Sequence, residues 1–139
     1  MVDTMIAFEL ASPEKLLISQ AVQMVVVPGD QGDFGVLAGH ARMISSMRSG
    51  TICIYTEGVI RTRIFVSGGF AEVTPERCIV LAQDAVPLDQ IDRAQVERTI
   101  EDRVQDVGTA SSETERDTAE RRLGIARTML EAVTRPAYQ

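Results

Sequence analysis

Four glycines, Gly29, Gly32, Gly35 and Gly39, fall within eleven residues of the stretch "VVVPGDQGDFGVLAGH", which ends on His40, the only histidine of the protein. Glycine spacing of this kind cradles a phosphate in some proteins; in others it is a run of tight turns that presents a surface. A phosphate loop needs G-x-x-x-x-G-K-[ST], with a lysine to reach the phosphates and a helix starting behind it. Here the spacing is G-x-x-G-x-x-G-x-x-x-G, no lysine follows, and Ala41-Arg-Met-Ile44 carries no helical stripe. The dinucleotide fingerprint G-x-G-x-x-G is missing as well. Asp30 and Asp33 match too few positions of a calcium loop to hold that ion. A surface built of turns is the reading that remains.

Catalytic chemistry has no better footing. Any nucleophile–base pair would have to use His40, and nothing near it resembles a G-x-S-x-G elbow. Cys53 and Cys78 lie far apart, without a C-x-x-C or a second histidine, so a zinc site is not expected. Both fall in strand-like segments and read as small buried hydrophobes in a reducing compartment. Carboxylates are plentiful towards the C-terminus, but they alternate with arginines, as on solvated helix faces. By elimination this is a binding or regulatory protein, with no catalytic residue, metal or cofactor. Its net charge of −6 excludes non-specific nucleic-acid binding, which needs clustered Lys and Arg. No apolar run approaches the roughly 20 residues of a membrane-spanning helix, and MVDTMIAFEL lacks the positive flank of a secretory signal.

Two patterns organise the 139 residues. From Met5 to about Ala85 the period is two. Ile6, Phe8 and Leu10 alternate with polar or small residues, Val22, Met24 and Val26 form the next set, and Ile52 and Ile54 lie between Gly50 and Gly58. Ile60, Ile64 and Val66 face away from Arg61 and Arg63; Ser67-Gly68-Gly69 then turns the backbone, and Thr74-Pro75-Glu76 turns it again before Cys78-Ile-Val-Leu81. Short strands with turn signals every eight to twelve residues predict an all-β sandwich or barrel. After Pro87 the period becomes helical, with one stripe of Ile91, Val96, Ile100, Val104 and Val107, interrupted at Gly108–Ser112, and a second of Ala119, Leu123, Ala126, Leu130 and Val133. Asp89 is the expected N-cap of the first helix, and Ser112 with Glu115 a capping box for the second. Arg98–Asp102 and Asp117–Arg121 are spaced as i,i+4 ion pairs. The fold class is therefore α+β, with an N-terminal antiparallel β-sandwich over residues 1–86 and a C-terminal antiparallel two-helix hairpin over 87–139. Stripes this narrow make the hairpin marginal by itself, so it should lean on another surface and be able to leave it.

The order V-x-V-P-G-x-x-G-D-F-G-V-L-x-G-H, Ser49-Gly50, Phe65-Val-Ser-Gly-Gly-Phe-Ala-Glu-Val73 and Val80-Leu-Ala-Gln-Asp-Ala85, followed by a two-helix tail, resembles the epsilon subunit of bacterial F-type ATP synthases, called delta in mitochondria. The resemblance runs nearly end to end. It implies a noncatalytic subunit of the rotary central stalk, bound to the gamma subunit and seated on the c-ring of a proton-translocating synthase. Such a subunit is peripheral, associated with the cytoplasmic face of the bacterial plasma membrane through the complex only. It further implies that Gly32, Asp33, Gly35, Gly39 and His40 belong to the c-ring-facing loop, with the glycines supplying positive φ and His40 holding the turns. The family's C-terminal helices can rise toward the alpha/beta head and block ATP hydrolysis, which would bring Arg93, Arg98, Arg103, Arg116, Arg121, Arg122 and Arg127 to acidic residues there. Some members bind ATP through [IL]-D-x-x-R-A. In Leu88-Asp-Gln-Ile-Asp-Arg-Ala94, three residues separate Asp89 from Arg93, and none separates Asp92 from it. One extra residue rotates a helical side chain by about 100°, so weak or no nucleotide binding is expected at Asp89, Asp92 and Arg93. Ala38 stands where many members have proline. The rival readings are a free-standing β-sandwich adaptor and a nucleotide-sensing module using the Asp89–Arg93 region.

Overall fold

The computed structural model describes residues 5–138. The protein divides into two compact units with the boundary between Pro87 and Leu88. Eight strands build the first unit: β1 (Ile6–Ala11), β2 (Leu16–Val22), β3 (Met24–Gly29), β4 (Gly32–Val36), β5 (Met43–Thr56), β6 (Val59–Val73), β7 (Arg77–Ala82) and β8 (Ala85–Pro87). They follow the order β2-β1-β7-β6-β5-β3-β4, with β8 added on β6. Every pairing is antiparallel except β1 with β7, which run parallel. That one parallel pair departs from the antiparallel expectation. It arises because β1 and β7, distant in sequence, are joined by no hairpin that would force them to run in opposite directions.

The sandwich comes from two strands that serve both layers. The first half of β5 pairs with the last part of β6, which continues through β7 and β1 to β2; the second half of β5 pairs with the first part of β6 and with β3. Both strands change face midway. Met47 and Ile52 are core residues on β5, and Val66 and Ala71 are core residues on β6, an odd spacing in each case. Strict alternation cannot deliver that, so each strand turns a corner between the layers. Ser67-Gly68-Gly69, expected to be a turn, is the corner of the 15-residue β6. The core is apolar throughout: Ile6, Phe8 and Leu10 meet Val25, Val27, Ile52, Ile54, Ile64, Val66, Val73 and Val80. The Val22–Met24–Val26 set is corrected too. The backbone leaves β2 at Val22 and enters β3 in a new phase: Val25 and Val27 join the main core cluster, Val26 is buried outside that cluster, and Met24 is only partly buried.

The second unit is a helical hairpin. After a single 3-10 turn at Leu88–Gln90, α1 spans Arg93–Thr109 and α2 spans Glu113–Thr134. Asp92 caps α1, its Oδ1 accepting from the Ala94 amide at 3.0 Å and the Gln95 amide at 3.5 Å. Asp89, the expected cap, lies in the 3-10 turn instead. Ser112 does cap α2, its Oγ accepting from the Glu115 amide at 3.1 Å. The returning half of the box is displaced by one residue, since the Glu115 carboxylate takes the Ser111 amide and hydroxyl at 2.9 and 2.8 Å. Gly108 is inside α1 and does not interrupt it. The predicted Arg98–Asp102 and Asp117–Arg121 pairs do not form. The helices instead carry Arg93–Glu97, Arg103–Asp106 and Arg116–Glu120, and Arg98 donates to the Gln95 side chain.

Candidate functional site

The glycine-rich stretch folds into two separate features with β4 running between them. The first is the β3–β4 hairpin. Pro28 pairs with Asp33 and Gly29 with Gly32, which leaves only Asp30 and Gln31 at the tip. Neither tip residue takes a positive φ, so the turn is not of the primed type that matches strand twist by itself. Gly32 absorbs the mismatch at φ 130°, where an L-residue is strained. Gly29 and Gly35 keep negative φ, so positive φ explains two of the four glycines rather than all of them. Gly29 is needed for room: a Cβ there would lie 2.8 Å from Cε1 of Phe34. Arg48, which the sequence did not single out, braces this hairpin. Its Nη1 donates to the Gly29 carbonyl and its Nη2 to Oδ1 of Asp33, both at 2.5 Å.

The second feature is the turn Leu37–His40. Gly39 has φ 85°, its amide donates to the Pro75 carbonyl at 2.8 Å, and the His40 amide donates to Leu37 at 3.1 Å. The His40 ring turns back on its own backbone. Nδ1 lies 2.7 Å from the Ala41 carbonyl, which can only accept, so Nδ1 carries the proton. This geometry ties the ring to the turn. Asp33 and His40 thus stand at opposite ends of β4 rather than in one loop.

A third feature was not foreseen. The side of the β2-β1-β7-β6-β5 layer that faces away from the core carries a row of paired residues, Leu16–Ala11–Leu81–Phe70–Ser46, and beside it Ile79–Glu72–Ile44. Leu16, Leu81, Phe70 and Ile44 are each more than half exposed, at 58, 56, 57 and 74%. Single exposed apolar residues need no explanation, but here large ones share one row on β2, β7 and β6, with Ile44 beside them on β5, the kind of patch from which contact surfaces are built. The signal was in the sequence, in Phe70 and Leu81 one residue out of phase with core positions Ala71, Val80 and Ala82. It is visible only once the parallel β1–β7 pairing is known.

The hairpin candidates do not converge. Asp92 spends its carboxylate on the α1 amides, Arg93 donates to Glu97 at 3.1 Å, and Asp89 sits in the preceding turn. Arg116 is paired with Glu120, whereas Arg121, Arg122 and Arg127 are exposed. Successive 100° steps put these last three on different sides of α2, not on one face. Cys53 and Cys78 are both buried and free. Burial pushes the Cys78 thiol up to about 12; it raises Cys53 too, against an opposing effect of Arg63. Neither is a nucleophile at neutral pH. Among the described residues no three His, Cys, Asp or Glu side chains are grouped to hold a metal ion, and no helix is long and apolar enough to cross a membrane.

A small β-sandwich with a glycine-turned hairpin, an exposed apolar row on its outer face and a charged two-helix appendage has the features of a docking protein. Residues 5–88 match the family described as ATP synthase, Delta/Epsilon chain, beta-sandwich domain, and residues 92–139 match the C-terminal domain of the ATP synthase epsilon chain. The protein belongs to the ATP synthase epsilon-chain family. The ATP synthase epsilon chain of Rhodospirillum centenum is 50% identical over 131 residues, covering 91% of this sequence and 90% of that one. That of Rhodospirillum rubrum is 45% identical over 125 residues, covering 90% and 93%. In fold the protein is similar to a subunit in the Euglena gracilis mitochondrial ATP synthase, with a TM-score of 0.82 and 24% identity over 96% of this sequence and 84% of that one.

Proposed function

We propose that the protein is a noncatalytic rotor subunit that couples gamma to the c-ring, through two different surfaces of its sandwich. The apolar face around Phe70 and Leu81 takes gamma, and the β3–β4 hairpin with Asp33 meets the polar loops of the ring. The observation that carries this reading is the apolar row Leu16–Ala11–Leu81–Phe70 across four strands, which is costly to leave in water. His40 and Gly39 hold the Leu37–His40 turn and serve the interface indirectly. The complex would place the subunit at the cytoplasmic face of the plasma membrane, with protons as the coupling ion.

The hairpin restrains hydrolysis by reaching the alpha/beta head, where Arg121, Arg122 and Arg127 are available to acidic partners. Nucleotide is not assigned to the Asp89–Arg93 region, because Asp92 and Arg93 are engaged within α1 itself. The test is a Phe70→Glu/Leu81→Glu variant in the complete synthase. A charge in each apolar position should cut its recovery with gamma at least tenfold while its own melting curve stays close to that of the unmodified protein. Unchanged recovery would refute the assignment of that face. Removal of residues 88–139 should leave assembly intact and raise ATP hydrolysis; unaltered hydrolysis would remove the regulatory role.

A further inference from the structure

We propose that Arg48 is a positioning residue that sets the β3–β4 tip for its contact with the ring, an inference that rests on the reading of that hairpin given above. Arg48 lies where β5 changes layer, directly after Met47, whose partner in β3 is Gly29. Its guanidinium reaches one acceptor on each arm of the hairpin, the Gly29 carbonyl on β3 and the Asp33 carboxylate on β4. These two residues flank the tip on opposite strands.

The backbone ladder around the tip is thin. The β3–β5 ladder is irregular between Val26 and Gly29. Pro28 has no amide proton to contribute. β4 is the last strand of its layer, with no neighbouring strand beyond it among the described residues. One more bond, from the Asp30 amide to the Ser46 carbonyl at 3.0 Å, ties the tip to the same end of β5. Without Arg48 the two arms would lose a side chain that donates to both of them.

The residue type matters. A planar guanidinium can send two N–H groups to two acceptors in fixed directions, whereas an ammonium is a point donor on a flexible stem. The side chains of Arg48 and Asp33 remain 46 and 31% exposed. A half-exposed pair of this kind adds little to folding stability. Its consequence is therefore the position of the tip and not the survival of the sandwich.

The experiment uses the complete synthase in inverted membrane vesicles and compares the unmodified subunit with Arg48→Ala and Arg48→Lys. The readout is ATP-driven proton uptake divided by ATP hydrolysis, with the amount of the subunit measured on the same vesicles. Arg48→Ala should lower that ratio at least twofold at an unchanged amount of subunit, and Arg48→Lys should fall between the two. The melting temperature of the isolated Arg48→Ala protein should move by less than about 5 °C. A ratio equal to that of the unmodified subunit would overturn the proposal, and so would a large loss of melting temperature, which would make Arg48 a folding residue. If the unmodified subunit were itself absent from the vesicles, the rotor reading would fail first and this one with it.

Discussion

Gly69 shows how much a single position can decide. It has φ 126°, and a Cβ built on it would run into the Leu81 carbonyl of the paired strand β7. The clash is with backbone, which cannot rotate away. Gly69→Ala should therefore destabilise the sandwich by about 3 kcal/mol or more, combining strain with overpacking. Gly32→Ala is the control: φ is also positive, but a Cβ there meets nothing within 4 Å, so the cost should stay near about 1–2 kcal/mol. Urea unfolding of the two variants checks this, and equal losses would mean that the close approach is unimportant. In sequence both glycines look like turn signals. Only one is beside a turn, because a strand that passes from one layer to the other needs the same backbone freedom as a hairpin.

At the scale of elements, helix capping separates what was legible from what was not. Ser112 was identifiable because a hydroxyl residue stands immediately before a periodic run. Asp89 and Asp92 are chemically equivalent caps, and the choice between them depends on a 3-10 turn, closed by the Ile91 amide on Leu88 at 3.1 Å, that leaves no periodic mark. Asp92→Ala should cost about 1 kcal/mol of helix stability and Asp89→Ala less than about 0.5; thermal unfolding followed by helix ellipticity distinguishes them. Glu115 adds a pH dependence. Hydrogen bonds from the Ser111 amide and hydroxyl hold its carboxyl below the usual carboxylate range. A depressed folded value stabilises the loop above the unfolded value, and that contribution is lost as pH falls through the folded one. Helix signal should thus decline on acidification below about pH 4 in the unmodified protein. Glu115→Gln should remove this step, and identical acid profiles would show that the bonds carry no weight.

For the whole molecule, the two-part organisation and the sandwich itself were readable from the change of period at Pro87. The layering was not. β5 and β6 are 14 and 15 residues long, far beyond the short strands that turn signals suggested, because Gly50 and Ser67–Gly69 lie within strands. The glycine-rich motif likewise looked like one loop and is two features separated by β4. The apolar outer face emerged only from pairings that join the N-terminal strands to residues 70–81. These are long-range contacts, and local periodicity carries no information about them.

A sandwich that docks into a rotor must be isolated together with it. The decisive measurement is affinity isolation of the tagged protein from gently solubilised membranes, with the co-isolated proteins identified by mass spectrometry. Gamma, the alpha and beta head subunits and the c-ring should be recovered together with it. A protein that remains in the soluble fraction without them would contradict the rotor reading and leave a free-standing adaptor in its place.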